Sequence, residues 1–200
     1  MHPSTIDALY GSSLSRRFQL AHRLFTESGE RFLSLAALQN HLKALRLLQD
    51  DVRRCMEEAG MPTVCTNCAR SSATGGCCSH AMTNENDAVL LLFNLLAGGP
   101  VELQRRDGGE CLFLGEAGCS LQFKPYFCLN YLCRQLRQQT PPAMLLGLER
   151  ATGLLLQEQY AVEQFLLGLL DGMLQNGCQP PGKDATVKEA CNKTSNEPLF

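Results

Sequence analysis

The chain has 200 residues, 44% of them hydrophobic, 19% charged and 6% aromatic, with no Trp and a formal net charge of −2. That content builds a core of ordinary size and excludes a chain disordered throughout. No segment forms a basic block, which excludes a global electrostatic grip on nucleic acid or anionic lipid.

Residues 4–60 read as helix. Ile6, Tyr10, Leu14, Phe18, Ala21 and Phe25 recur at three- and four-residue steps, which stacks them on one face. Ser28-Gly29 is expected to break the run. A second helix then carries Leu35, Leu38, Leu42, Leu45, Leu48, Val52 and Met56 on its apolar stripe, and Gly60 with Pro62 stops it. The stripe fits two helices packed on a core better than a coiled-coil dimer arm, because the seam covers too few heptads.

Residues 61–80 are small, polar and rich in Cys, and read as loop. Residues 84–97 read as a short helix capped by Asn84 or Asn86 and ended by Gly98-Gly99. Two extended pieces, VELQR and ECLFL, flank Asp107-Gly108-Gly109, which reads as a turn and short hairpin. Residues 125–138 read as one helix with Pro125 in its first turn. Pro141-Pro142 opens a long helix to about residue 176, with Leu145, Leu148, Ala151, Leu155, Val162, Phe165, Leu169 and Met173 at helical spacing. Gly147, Gly153, Gly168 and Gly172 weaken this helix and offer positions for close helix packing. Residues 177–200 read as a polar, flexible tail.

The outlying number is eleven Cys. No signal-peptide h-region and no apolar run of membrane-spanning length occur, so the expected setting is cytoplasmic, with thiols reduced or metal-bound and no membrane. Eight of the Cys fall in two groups. The first is Cys65-x-x-Cys68, then eight residues, then Cys77-Cys78; the second is Cys111, Cys119, Cys128 and Cys133. Two residues between thiols let both sulfurs face one point, and zinc and iron–sulfur clusters each take four such ligands. Gly75-Gly76 supplies free torsions ahead of Cys77. Adjacent Cys seldom ligate one ion together, so Cys77 and Cys78 serve two metals, one cluster, or one ligand position only. A thioredoxin-type redox pair would need a strand before the C-x-x-C and a helix right after it, which the Gly-Met-Pro and Ser/Ala/Gly flanks do not suggest. Inert buried Cys accounts for Cys55 but poorly for Cys65, Cys68, Cys77 and Cys78, whose neighbours are polar.

His80 is a further ligand candidate, though it reads better as a solvated loop residue. No nucleophile, phosphate-loop or zinc-protease motif occurs, and no carboxylate pair stands out as an acid/base couple. Arg105-Arg106 and Arg134/Arg137 are too few for a nucleic-acid footprint.

The order C-x-x-C, then Cys-Cys, then Cys111-Leu-Phe-Leu-Gly-Glu-Ala-Gly-Cys119-Ser-Leu-Gln-Phe-Lys-Pro-Tyr-Phe-Cys128 resembles the YkgJ-type cysteine-cluster proteins, a zinc- or iron-chelating domain family. The resemblance covers about residues 60–138. The gap between Cys68 and Cys77 is longer than in that family, and Lys124 and Leu129 stand where it commonly has Arg. Any role that needs a guanidinium beside the site is therefore not carried over. The resemblance implies a metal held through the cysteines.

Together these readings give a mainly α fold, a helical bundle enclosing a small cysteine-rich metal-binding segment with a short β-hairpin. The expected divisions are 1–60 (helical), 61–138 (cysteine cluster), 139–176 (helix packing back on the first) and 177–200 (tail). The expected function is binding of iron, an iron–sulfur cluster or zinc through Cys65, Cys68, Cys77, Cys78, Cys111, Cys119, Cys128 and Cys133, with an electron-transfer or metal-handling role. Two alternatives stay open: an adaptor with a structural zinc site that binds a protein partner or a second copy through its helices, and a metal-free thiol redox or sensing protein. No catalytic constellation is recognised.

Overall fold

The sequence AVLLLFNLL is apolar on every side, and a helix of that kind has to be enclosed. In the computed structural model, which describes residues 3–71, 76–104, 109–115 and 118–177, it is α5 (Ala88–Leu96), with eight of its nine residues buried. Around it the fold is mainly helical with one small two-stranded hairpin. A short α1 (Pro3–Ile6) runs into a π turn at Asp7–Gly11, followed by α2 (Leu14–Leu33), α3 (Ala36–Glu58) and α4 (Met61–Ser71). A 3-10 turn (His80–Glu85) precedes α5. Beyond it come β1 (Leu114–Gly115), β2 (Gly118–Cys119), α6 (Tyr126–Asn130), α7 (Arg134–Gln139) and α8 (Pro142–Gly177).

α3 packs along α8, α2 packs on α5, and α5 touches α8. The α3 stripe of Leu38, Leu42, Leu45 and Val52 is fully buried, as are Leu155, Val162 and Leu166 of α8. Each such side chain contributes roughly 1.5–3 kcal/mol of transfer free energy. The stripe that could have formed a dimer seam thus packs inside the chain. Two polar ties fix the register: His41 Nδ1 lies 2.6 Å from Glu158 Oε1, and Tyr10 Oη donates to Glu163 Oε1 at 2.5 Å. Among the described residues, no helix is long and apolar enough to cross a membrane.

Several local expectations are corrected. Ser28-Gly29 does not break a helix; both residues are buried inside α2, and the break falls at Ser34-Leu35. Gly29 is there because a Cβ would meet the Phe25 ring at 3.1 Å. Residues 61–71, expected as loop, are α4, with Pro62 in its first turn where a missing N–H costs nothing. α5 is capped by Asp87, whose carboxylate accepts from Leu90 N at 2.8 Å, not by Asn84 or Asn86. Residues 125–138 form two short helices, and Pro125 is the N-cap of the first. The hairpin is Leu114–Gly115 against Gly118–Cys119. The two expected extended pieces meet through Gln104 N donating to Leu112 O at 2.7 Å, and residues 105–108 between them lie outside the described residues. Gly147, Gly153, Gly168 and Gly172 are not close-packing positions, since a Cβ at each meets nothing within 4 Å. Gly60 and Gly98 end their helices with positive φ, as expected. The tail from residue 178, with Cys178 and Cys191, lies outside the described residues.

Candidate metal centre

Cys65 and Cys68 lie three residues apart on α4, so one helix face presents both thiols. Gly76 then brings the returning chain against them. Its φ of +62° suits glycine, and a Cβ there would stand 2.7 Å from Cys68 Sγ. Cys77 follows directly, exposed, and accepts a hydrogen bond from the Cys78 thiol. Cys133 completes this neighbourhood. It is the N-cap of α7, its Sγ accepts from Leu136 N at 3.4 Å, and α7 packs on α4. At the far end of α7, Thr140 Oγ1 donates to Ala59 O at 3.0 Å, next to the start of α4.

The second neighbourhood is built by backbone pairing. Residue 111 meets residue 78 through Cys111 N donating to Cys78 O at 2.7 Å. His80 N donates to Gly109 O at 2.5 Å, and Ser79 bridges antiparallel to Glu110. The buried Thr83 Oγ1 accepts from Leu112 N at 3.0 Å and holds the same pairing from below. The hairpin returns Cys119 opposite Leu114, whose amide bonds back to Cys111 O at 2.9 Å. Cys128 comes from α6.

The thiols act on one another within and across these neighbourhoods. Burial first, then Cys77, Cys133 and Cys68, push the Cys65 thiol up to about 11. Burial, then Cys119, Cys111 and Cys77, push Cys128 up to about 12. Burial also raises Cys119, with Cys111 adding to it. Within the adjacent pair, Cys78 keeps its proton and donates it to Cys77, which holds Cys77 below the ordinary thiol range and raises Cys78. Charges at Cys128 and Cys119 raise Cys78 further. Cys77 acts on both Cys65 and Cys128, and Cys119 and Cys128 act on Cys78, so the adjacent pair links the two neighbourhoods.

All eight sequence-selected cysteines thus lie in this one region, while Cys55 sits on α3 against the apolar core. Among the described residues, no three Cys, His, Asp or Glu side chains are already grouped as a bound ion would hold them. His80 is exposed.

Two supporting residues carry no sequence motif. Lys124, noted only as a replacement for Arg, is a cation that opposes the upward push on the Cys65, Cys119 and Cys128 thiols. Asn94 is fully buried on α5; its Nδ2 donates to Leu90 O and Phe123 O, and its Oδ1 accepts from Phe123 N, each at 2.9 Å. This clamp fixes the strand of chain that leads into Lys124, Pro125 and Cys128. A lone Asn inside an all-apolar helix was the available signal. No family model, no curated protein and no solved structure matches the chain.

Proposed function

We propose that this chain binds zinc or iron, the iron as ions or in an iron–sulfur cluster, through two four-thiolate groups: Cys65, Cys68, Cys77 and Cys133, and Cys78, Cys111, Cys119 and Cys128. One observation carries the reading. Thiols drawn from separate segments act on one another: Cys68, Cys77 and Cys133 on Cys65, Cys77, Cys119 and Cys128 on Cys78, and Cys77, Cys111 and Cys119 on Cys128. Four thiolates are the complete donor set for tetrahedral zinc or for a cluster. Burying thiols that repel one another as thiolates is unfavourable until a cation joins them, and bound metal supplies that charge. Lys124 supplies part of it in advance. The motif order shared with the cysteine-cluster family supports the same reading. With iron, the role is electron transfer or metal handling; with zinc, the sites fix the segment against the helices.

A second reading, a metal-free thiol sensor, is favoured by Cys77 alone, which is exposed and has its thiolate favoured by Cys78. Cobalt(II) titration of the reduced full chain separates the two. The metal reading predicts intense visible bands of tetrahedral thiolate cobalt that saturate at about two equivalents. The sensor reading predicts no such bands, with Cys77 the first thiol alkylated whether or not metal is present.

A further inference from the structure

On the other side of α6, a cavity of about 350 Å³ opens between α5 and α8. Its floor is acidic, with Glu85, Asp87 and Glu163 all lining it; Glu163 Oε1 also accepts from Tyr10 Oη and Asp87 Oδ1 from Leu90 N, which leaves Glu85 and the second oxygen of each of the other two for a ligand. Arg17 lies near Asp87 and Glu85 and offsets one of these three charges, while its guanidinium donates to Asn84 O at 2.9 Å. Its walls are aromatic. Tyr126, Phe127 and Tyr160 line it and are each more than half exposed. Gln159 also lines it. That side chain is only 7% exposed, and its Nε2 donates to Lys124 O at 3.1 Å, yet its buried Oε1 has no hydrogen-bond partner.

Buried acceptors are ordinarily satisfied, and an orphan one beside a cavity points to a donor that arrives with a ligand. Carboxylates and aromatic faces together select a cation, and an unpaired amide oxygen selects one that carries N–H. We propose that this cavity binds an organic cation, an alkylguanidinium or alkylammonium group, with the charge between Glu85, Asp87 and Glu163, the alkyl stem against Tyr126, Phe127 and Tyr160, and an N–H on Gln159 Oε1. No thiol lines the site, although it shares α6 with Cys128. The group comes either from a free small amine or from an Arg or Lys side chain of another polypeptide.

The test is ligand-observed NMR on the full chain with butylguanidinium, its neutral isostere butylurea, and Nα-acetyl-arginine methylamide. The proposal predicts that butylguanidinium binds at least about tenfold tighter than butylurea. Tyr160→Ala and Glu85→Gln change exposed residues, so the fold persists, and each weakens binding roughly three- to fivefold. Tighter binding of butylguanidinium than of the arginine amide is expected for a free amine site, and tighter binding of the arginine amide identifies a chain-borne side chain. Equal binding of butylguanidinium and butylurea, no binding by either cation, or affinities unchanged in both variants would overturn it.

Discussion

The amide of Cys111 donates to the carbonyl of Cys78 at 2.7 Å, and this one bond joins the two cysteine groups that the sequence keeps apart. It sets the register of residues 78–80 against 109–111 and fixes which thiols become neighbours. Thr83 enforces the same register through Leu112 N. Replacing Thr83 with Val keeps the shape and removes the acceptor. The part-buried Leu112 amide then loses its partner, at a cost of about 0.5–1.5 kcal/mol. Urea unfolding measures the loss, and the second thiolate group is expected to bind cobalt more weakly than the first.

Gly76 is the matching test for the first group. Alanine there has to adopt φ +62°, and its Cβ would stand 2.7 Å from Cys68 Sγ. Strain of about 1 kcal/mol and a displaced thiol follow. Gly76→Ala should lower cobalt saturation from about two equivalents to about one, leaving the group around Cys128 intact.

Asn94→Ala leaves the amide and carbonyl of Phe123 unpaired in the core. The expected destabilisation is about 2–4 kcal/mol, read from the urea midpoint at unchanged m. Asn94→Leu should be no better, because the backbone groups of Phe123 remain without partners.

Asp87 sets a pH dependence. Burial raises its carboxyl from the ordinary 3.8 to about 6, against the pull of its cap bonds to Leu90 and Val89 and of Arg17. The folded state therefore binds a proton more tightly than the unfolded state does. Its contribution to stability is fully present below the unfolded pKa and is lost as pH rises through about 6. From pH 4 to 7 this amounts to roughly 2 kcal/mol from this one group. Asp87→Asn keeps a good N-cap without the charge. Unfolding curves across that range should show the slope in the wild type and its reduction in the variant.

The α8 glycines offer a stabilising test. Gly153 and Gly168 are exposed and helical, with open space where a Cβ would stand. Alanine at each should add about 0.5–1 kcal/mol, since the gain is backbone entropy with no clash to set against it. Thermal unfolding of the double variant measures it.

The helices were legible where apolar spacing was long. The Leu38–Val52 stripe is the packed face of α3, and Leu145, Leu148, Leu155 and Val162 hold on α8; further along, Leu166 and Leu170 are the buried residues, and Phe165, Leu169 and Met173 are only partly buried. The same spacing failed where local and tertiary signals competed. Ser28-Gly29 reads as a breaker, yet the Phe25 ring needs that gap and neighbouring turns keep the helix. The run around Cys65 and Cys68 reads as loop because its residues are small, polar and rich in Cys, while the folded chain packs it as a helix against α3 and α7. The eight cysteines were selectable from composition and order. The 78–111 pairing and the capping of α7 by Cys133 were not, because only the folded chain brings them about.

Metal content measured by elemental mass spectrometry, with a visible spectrum, on full-length protein purified without oxygen tests the central claim most directly. The account predicts about two zinc ions per chain without colour, or iron with acid-labile sulfide and a brown visible band. Metal-free protein with all eight clustered thiols open to alkylation, unchanged after incubation with zinc or ferrous iron, would contradict it.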